Sequence, residues 1–220
     1  MSNKNFLVVV DGPAGGGKTS LCKKVGNRLG LRLLDTGAIY RSFTLLYLKS
    51  DEDLEKASKE FFFEIDQDGN MKSNQGLVGD EIRSLEISEN TSKLSALKET
   101  RNALLEVQRK LVKKGRWIAE GRDLASVVFP NADVKVYLDA NSQVRSFRRY
   151  KQNLEKGEKF AENFKSLHKK LKNRDIRDFL RKDAPLIQIN NADYLDTSAL
   201  SILQVEDCLV NMIRRKMIFI

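Results

Sequence analysis

A chain of 220 residues, 41% hydrophobic and 31% charged, has the length for one sizeable core with a small insert and the make-up of an ordinary soluble globular protein. That excludes a disordered, collagenous or disulfide-framed chain, since glycine totals 13 and the two cysteines, Cys22 and Cys208, show no metal or redox spacing. The net charge of +9 suits nucleic acid or a site holding two phosphorylated ligands, and the lack of an arginine-rich tail or aromatic–basic stripe favours the second.

The first element organises the rest. Phe6 to Val10 is an apolar, largely β-branched run that predicts a buried parallel strand. Gly12-Pro13-Ala14-Gly15-Gly16-Gly17-Lys18-Thr19 follows and matches G-x-x-x-x-G-K-[ST] in full. Ser20 then opens a helix with Leu21, Val25 and Leu29 at helical spacing. Strand, glycine loop and helix stand in the order a phosphate cradle requires: the glycines let backbone N–H groups converge on an anion, and the helix N-terminus adds positive charge. Lys18 is placed to reach the β- and γ-phosphates, and the Thr19 hydroxyl to hold Mg²⁺. Gly12 to Ser20 is therefore the expected ATP-binding loop.

Leu31 to Leu34 predicts a second strand, and Asp35 or Thr36 caps a helix whose inward face is Ile39, Phe43, Leu46 and Tyr47. Phe61-Phe-Phe-Glu-Ile-Asp, the turn at Asp68-Gly69 and Met71-Lys-Ser predict a peripheral hairpin. Asp66-Gln-Asp-Gly69 matches a GTPase D-x-x-G signal only formally, and a β-turn is the reading. Residues 80–114 carry a helical pattern. Trp117 to Ala119 predicts a short strand running into Glu120-Gly-Arg122-Asp123, and Val134 to Leu138 another. A helix from Asn141 or Ser142 sets Arg145, Arg148 and Arg149 on one face. Residues 151–175 are lysine-rich, as a mobile lid is, with His168 as a plain surface residue. Arg174 to Lys182 predicts a basic helix, Tyr194 to Asp196 a last strand, and Ser201 to Lys216 an amphipathic helix. Alternating strands and helices define an α/β protein with a doubly wound parallel sheet.

What receives the phosphoryl group is indicated by the arginines. Arg41, Arg122, Arg174, Arg177 and Arg181 fall past strand ends or on one helix face, and no Ser-His-Asp arrangement accompanies them. An alcohol acceptor benefits from a base on its hydroxyl, whereas an ionised phosphate needs only charge neutralisation and alignment. Guanidinium groups clamp phosphate bidentately and stay charged. Many arginines without an obvious base fit a phosphate acceptor.

The segments Asp11 to Thr19, Leu34-Asp-Thr-Gly-Ala-Ile-Tyr-Arg41, Glu120 to Pro130, Arg174-Asp-Ile-Arg-Asp178, Ala184-Pro-Leu186 and Asp196-Thr-Ser198 resemble the bacterial cytidylate kinases, collinearly over essentially the whole chain. The resemblance implies ATP-dependent phosphorylation of CMP, and with it dCMP, in one nucleoside-monophosphate kinase domain. It implies a core at 1–40 and 101–220, an acceptor-binding insert at about 41–100 and a lid at about 151–175. It further implies Arg41 and Arg122 as acceptor-phosphate ligands, Ser92, Arg101 and Asp123 as readers of cytosine with Thr36 nearby, and Arg174, Asp178 and Arg181 as a ribose- and phosphate-facing group. Lys18, Arg122 and Arg181 form the expected catalytic set, and Arg148 and Arg149 join the loop on ATP. A carboxylate on N4 with a guanidinium on N3/O2 prefers cytosine to uracil.

Ala125-Ser126 stands where the family commonly has Gly-Thr, and Asn191-Ala192 where it has Asp-Ala. Glu120 is a candidate to orient Mg²⁺ through water. UMP, dTMP or shikimate remain alternative acceptors, and a basic RNA-binding P-loop NTPase is the reading from another class. No leader-like or membrane-length apolar run is visible. The expectation is a cytoplasmic monomer with ATP, CMP or dCMP and Mg²⁺ as ligands, and neither nucleic acid nor membrane as partner.

Overall fold

The protein is described here by a computed structural model that covers residues 5–155 and 163–218. Its centre is a parallel sheet of β1 (Phe6–Asp11), β2 (Arg32–Asp35), β6 (Arg116–Gly121), β7 (Val134–Asp139) and β8 (Asp193–Asp196), in the order β2-β6-β1-β7-β8. Strand alternation sends its residues to two cores. Val8 and Val10 face a cluster with Leu21 and Val25 of α1 (Lys18–Leu29) and Leu209 and Ile213 of α8 (Ile202–Met217). Val9 faces the opposite cluster, with Phe43 of α2 (Thr36–Lys49), Leu104 of α5 (Lys98–Leu111) and Trp117. Helices on both faces make the sheet doubly wound, as expected. The ends of β1, β2 and β6, where the chain order reverses, open on one crevice.

Several elements differ from the sequence reading. A helix α3 (Leu54–Glu60) precedes the hairpin; Asp53 caps it by accepting from Lys56 N at 2.9 Å. The hairpin β3 (Phe63–Ile65) and β4 (Met71–Ser73) gains a third strand, β5 (Gly76–Leu77). The helical stretch 80–114 is three pieces: a short 3₁₀ turn at Asp80–Arg83, α4 (Leu85–Leu94) and α5. Ser84 restarts the chain by accepting from Ile87 N. Bonds of the i→i+3 kind at Ala96 and Leu97 tighten and end α4.

The larger difference is on the C-terminal side. The basic helix starts not at Arg174 but at Phe164, as α7 (Phe164–Leu180), because Asn163 accepts from Ser166 N at 2.9 Å and buried Leu167 seats its first turns. The lysine-rich stretch read as a lid therefore comprises the end of α6 (Ser142–Glu155) and much of α7, while residues 156–162 lie outside the described residues. His168 is not a plain surface group. Its Nδ1 lies 2.9 Å from Ser146 Oγ on α6, and its ring stacks on Phe164.

Candidate active site

The loop after β1 turns as its glycines demand. Gly12 has φ +152, and a β-carbon there would lie 1.9 Å from the Leu138 carbonyl oxygen, so no other residue fits between β1 and β7. Gly17 precedes α1 in the left-handed region, with no side-chain cap and no acidic residue in the first turn. The helix N-terminus is thus left open to an anion. Lys18 is only 5% exposed and donates from Nζ to Gly12 O at 2.7 Å and Pro13 O at 2.8 Å. Burial, reinforced by Arg122, lowers its pKa to about 7 against the pull of Glu120 and Asp11. An arriving phosphate would restore the charge that burial opposes.

Beside the loop stand two acids from neighbouring strand ends. Thr19 Oγ1 donates to Glu120 Oε1 at 2.6 Å. Asp35 Oδ1 caps α2 by accepting from Ala38 N, whereas its buried Oδ2 makes no hydrogen bond among the described residues and lies 4.0 Å from Arg83 Nη2. Burial and then the nearby Glu120 raise Asp35 to about pKa 6. Burial also opposes ionisation of Glu120, but Lys18 and Arg122 outweigh it and hold that acid below its ordinary range. A hydroxyl and two carboxylates are hard oxygen donors, and the Asp35 oxygen that makes no hydrogen bond is one a divalent cation could take up. These residues fit Mg²⁺. Among the described residues no group of three His, Cys, Asp or Glu could hold a metal unaided, as suits an ion that shares its shell with phosphate and water.

Across the crevice lies the arginine basin. Asp123 is bonded through Oδ2 to Arg101 and through Oδ1 to Arg181 Nη2 at 3.3 Å, and all three side chains are buried. Arg122 Nε pairs with Asp178 Oδ2 at 3.1 Å. Arg174 lines the same cleft, its buried Nε without a hydrogen-bond partner among the described residues, and burial together with Arg122 lowers it to about pKa 10. Ser92 is buried, and its hydroxyl likewise has no hydrogen-bond partner among the described residues. Arg41 lines the cleft, and burial lowers its pKa although Asp35 and Glu120 oppose the shift. Loop and basin share one cleft of about 1370 Å³.

The expected residues are thus gathered, with three adjustments. Thr36 lines the cleft, but its hydroxyl donates to Glu120 O at 2.7 Å. Arg148 and Arg149 line it too, yet Arg148 donates to Thr197 Oγ1 and O, and Arg149 to Gln152. Arg145, placed with them by spacing, turns inward to Asp175 instead. Ser126 keeps a hydroxyl, which donates to the Asp123 carbonyl at 3.4 Å. Sequence reasoning missed Asp11. Its buried carboxylate accepts from Leu124 N and Ala125 N, so the strand end under the cradle also fixes the loop after Asp123. Burial raises it to about pKa 6 even so. An acid closing an apolar strand was the available signal.

A phosphate cradle facing an arginine basin across the end of a parallel sheet defines a P-loop phosphotransferase. The chain belongs to the cytidylate kinase family, whose model matches residues 8–215. Curated relatives include the cytidylate kinase of Solibacter usitatus, 37% identical over 219 residues that cover 97% of this chain and 94% of the relative. That of Pasteurella multocida is 41% identical over 214 residues, covering 93% of each. Among solved structures, an uncharacterized protein from Eubacterium ventriosum matches with a TM-score of 0.52 at 10% identity, over 96% of this chain and 99% of that one. This last likeness concerns the fold alone.

Proposed function

We propose that this chain transfers the γ-phosphoryl group of ATP to CMP and dCMP, giving ADP and CDP or dCDP. The observation that carries the reading is the basin itself. Asp123, Arg101 and Arg181 form a buried group beside the Ser92 hydroxyl, opposite Lys18. Cytosine offers an N4 donor with N3 and O2 acceptors, which a carboxylate beside guanidinium groups complements. Arg41, Arg122 and Arg174 supply the charge that a monophosphate acceptor requires. Such an acceptor is already ionised and needs no base, so the work is positioning and neutralisation.

Thr19, with Glu120 and Asp35 behind it, would hold Mg²⁺, which when bound neutralises charge on the β- and γ-phosphates. Lys18 exchanges its two carbonyl partners for phosphate oxygens, while Arg122 and Arg181 face the charge shared between donor and acceptor. The division between core, insert and a lid near 151–175 belongs to this reading, as does a cytoplasmic monomer of pyrimidine nucleotide metabolism acting on small anions. The gathering of basic side chains inside the cleft supports small anionic ligands over nucleic acid or membrane. The test is ADP release with CMP, dCMP, UMP, dTMP and shikimate as acceptors. CMP and dCMP should be turned over well ahead of the rest; a preference for any other acceptor removes the reading.

A further inference from the structure

Asp175 sits on α7 between Arg174 and Asp178, among groups assigned to the acceptor, yet its carboxylate serves the other side of the cleft. Oδ1 accepts from Ala14 N at 3.1 Å, and Oδ2 pairs with Arg145 Nη1 at 2.7 Å. The same Nη1 donates to Ala14 O at 2.7 Å, and Arg145 Nε donates to Ala140 O at 2.8 Å. Asp175 and Arg145 are both buried. The N–H and C=O of one residue in the phosphate loop are therefore each held by a charged side chain, one from α7 and one from α6. The next residue, Gly15, has φ +74, and a β-carbon there would lie 3.3 Å from the Arg145 carbonyl oxygen. The tip of the cradle is shaped from outside by two helices.

This arrangement has a functional consequence. A phosphate loop binds well when its N–H groups already converge, because ordering them on binding subtracts from affinity. Ala14 lies between the end of β1 at Asp11 and the start of α1 at Lys18, just ahead of Gly15 to Gly17, so fixing it aims the N–H groups that follow. We propose that Asp175 is a positioning residue for the nucleoside triphosphate: with Arg145 it presets the phosphate loop, from the very helix that carries acceptor groups. The proposal rests on the phosphotransfer reading above and deepens it. One face of α7 serves the acceptor through Arg174 and Asp178, and another serves the donor through Asp175. Donor affinity then senses how α7 is seated.

The test is equilibrium binding of a non-hydrolysable ATP analogue, and separately of CMP, to the full chain and to Asp175→Ala, Asp175→Asn and Arg145→Lys, alongside thermal melting. Asn keeps an acceptor for Ala14 N–H but loses the ion pair, and Ala loses both. Analogue affinity should fall about tenfold to a hundredfold in Asp175→Ala, the size of a hydrogen bond to a charged group, and by less in Asp175→Asn. CMP affinity should change less than about twofold, although the residue adjoins Arg174. Should Asp175→Ala fail to fold, the same split in Asp175→Asn and Arg145→Lys decides. Equal weakening of both ligands, or unchanged analogue affinity in folded variants with lowered melting points, overturns the proposal and leaves the carboxylate a structural tie. A donor-specific loss in a chain that never phosphorylates CMP would remove the substrate reading alone and still support the role of Asp175.

Discussion

Replacing Asp123 by Asn removes one negative charge from between two guanidinium groups at nearly constant volume. The Arg101 and Asp123 side chains are 8% and 7% exposed, and Arg181 Nη2 lies 3.3 Å from the second carboxylate oxygen. An amide cannot accept from both arginines, since one of its ends must point an N–H at a cation. Breaking one side of a buried pair costs about 3–5 kcal/mol. At about 2–4 °C per kcal/mol for a chain of this size, the melting point should fall by roughly 6–20 °C. Catalysis should respond differently. If Asp123 accepts from N4 of cytosine, kcat/KM for CMP should drop by the worth of one base-edge contact, about 1–3 kcal/mol or roughly fivefold to 150-fold. UMP should lose less or improve, because the Asn amide can donate to its O4. The assay measures kcat/KM for both acceptors below the melting transition of the variant. Equal proportional losses for CMP and UMP would refute the reasoning and leave Asp123 as the group that merely spaces Arg101 from Arg181.

Lys18→Ala should keep the circular dichroism of the fold and lose roughly 10²–10³ in turnover, since it removes a preorganised charge from the phosphate site; near-normal turnover would contradict the loop assignment. Because burial holds free Lys18 near pKa 7, ATP binding at about pH 8 should take up a proton; calorimetry in buffers of different ionisation enthalpy reads it, and no uptake would count against that role. Burial, with Glu120 beside it, raises Asp35 to about pKa 6, so the native state binds the extra proton and stability is lost as pH rises through that window. Asp35→Asn keeps the cap of α2 and should therefore melt higher than wild type at about pH 8, converge with it near pH 4, and need more Mg²⁺ for activity; a pH-independent difference in melting would show that the charge is not the cause.

The cradle was legible because a loop that wraps phosphate needs glycines and a lysine at fixed spacing, a local requirement written in consecutive residues. The strands were legible for a similar reason: Val8, Val9 and Val10 are buried on both faces of the sheet and read as one apolar run. What escaped depends on partners distant in sequence. Arg145 shares a helix face with Arg148 on a wheel, but its direction is set by Asp175 thirty residues on. Asp11 is silent until Leu124 and Ala125 arrive above it. His168 reads as surface until Ser146 of the neighbouring helix meets it. The start of α7 was hidden because lysines and Gly157 suggest loop, while the Asn163 cap that begins it is a single residue. The roles of Ser92 and Arg101 came only through resemblance, and the buried hydroxyl of the one and the ion pair of the other are what the fold adds.

The place of β1 in the sheet bears on how the chain is made. β1 pairs with Arg116–Gly121 on one side and with β7 on the other, so it is laid down first and matched late. A ribosome adding about 5–20 residues per second exposes Val8, Val9 and Val10 for roughly 5–25 seconds before either neighbour has been synthesised. In that interval α2 can pack on α3, α4 and α5, but no strand that pairs with β1 exists. Closing so long a loop makes the sheet the slow event in refolding as well. A nascent chain that ends before Trp117 carries an apolar strand with no lawful partner, and chaperones or aggregation should compete for it there.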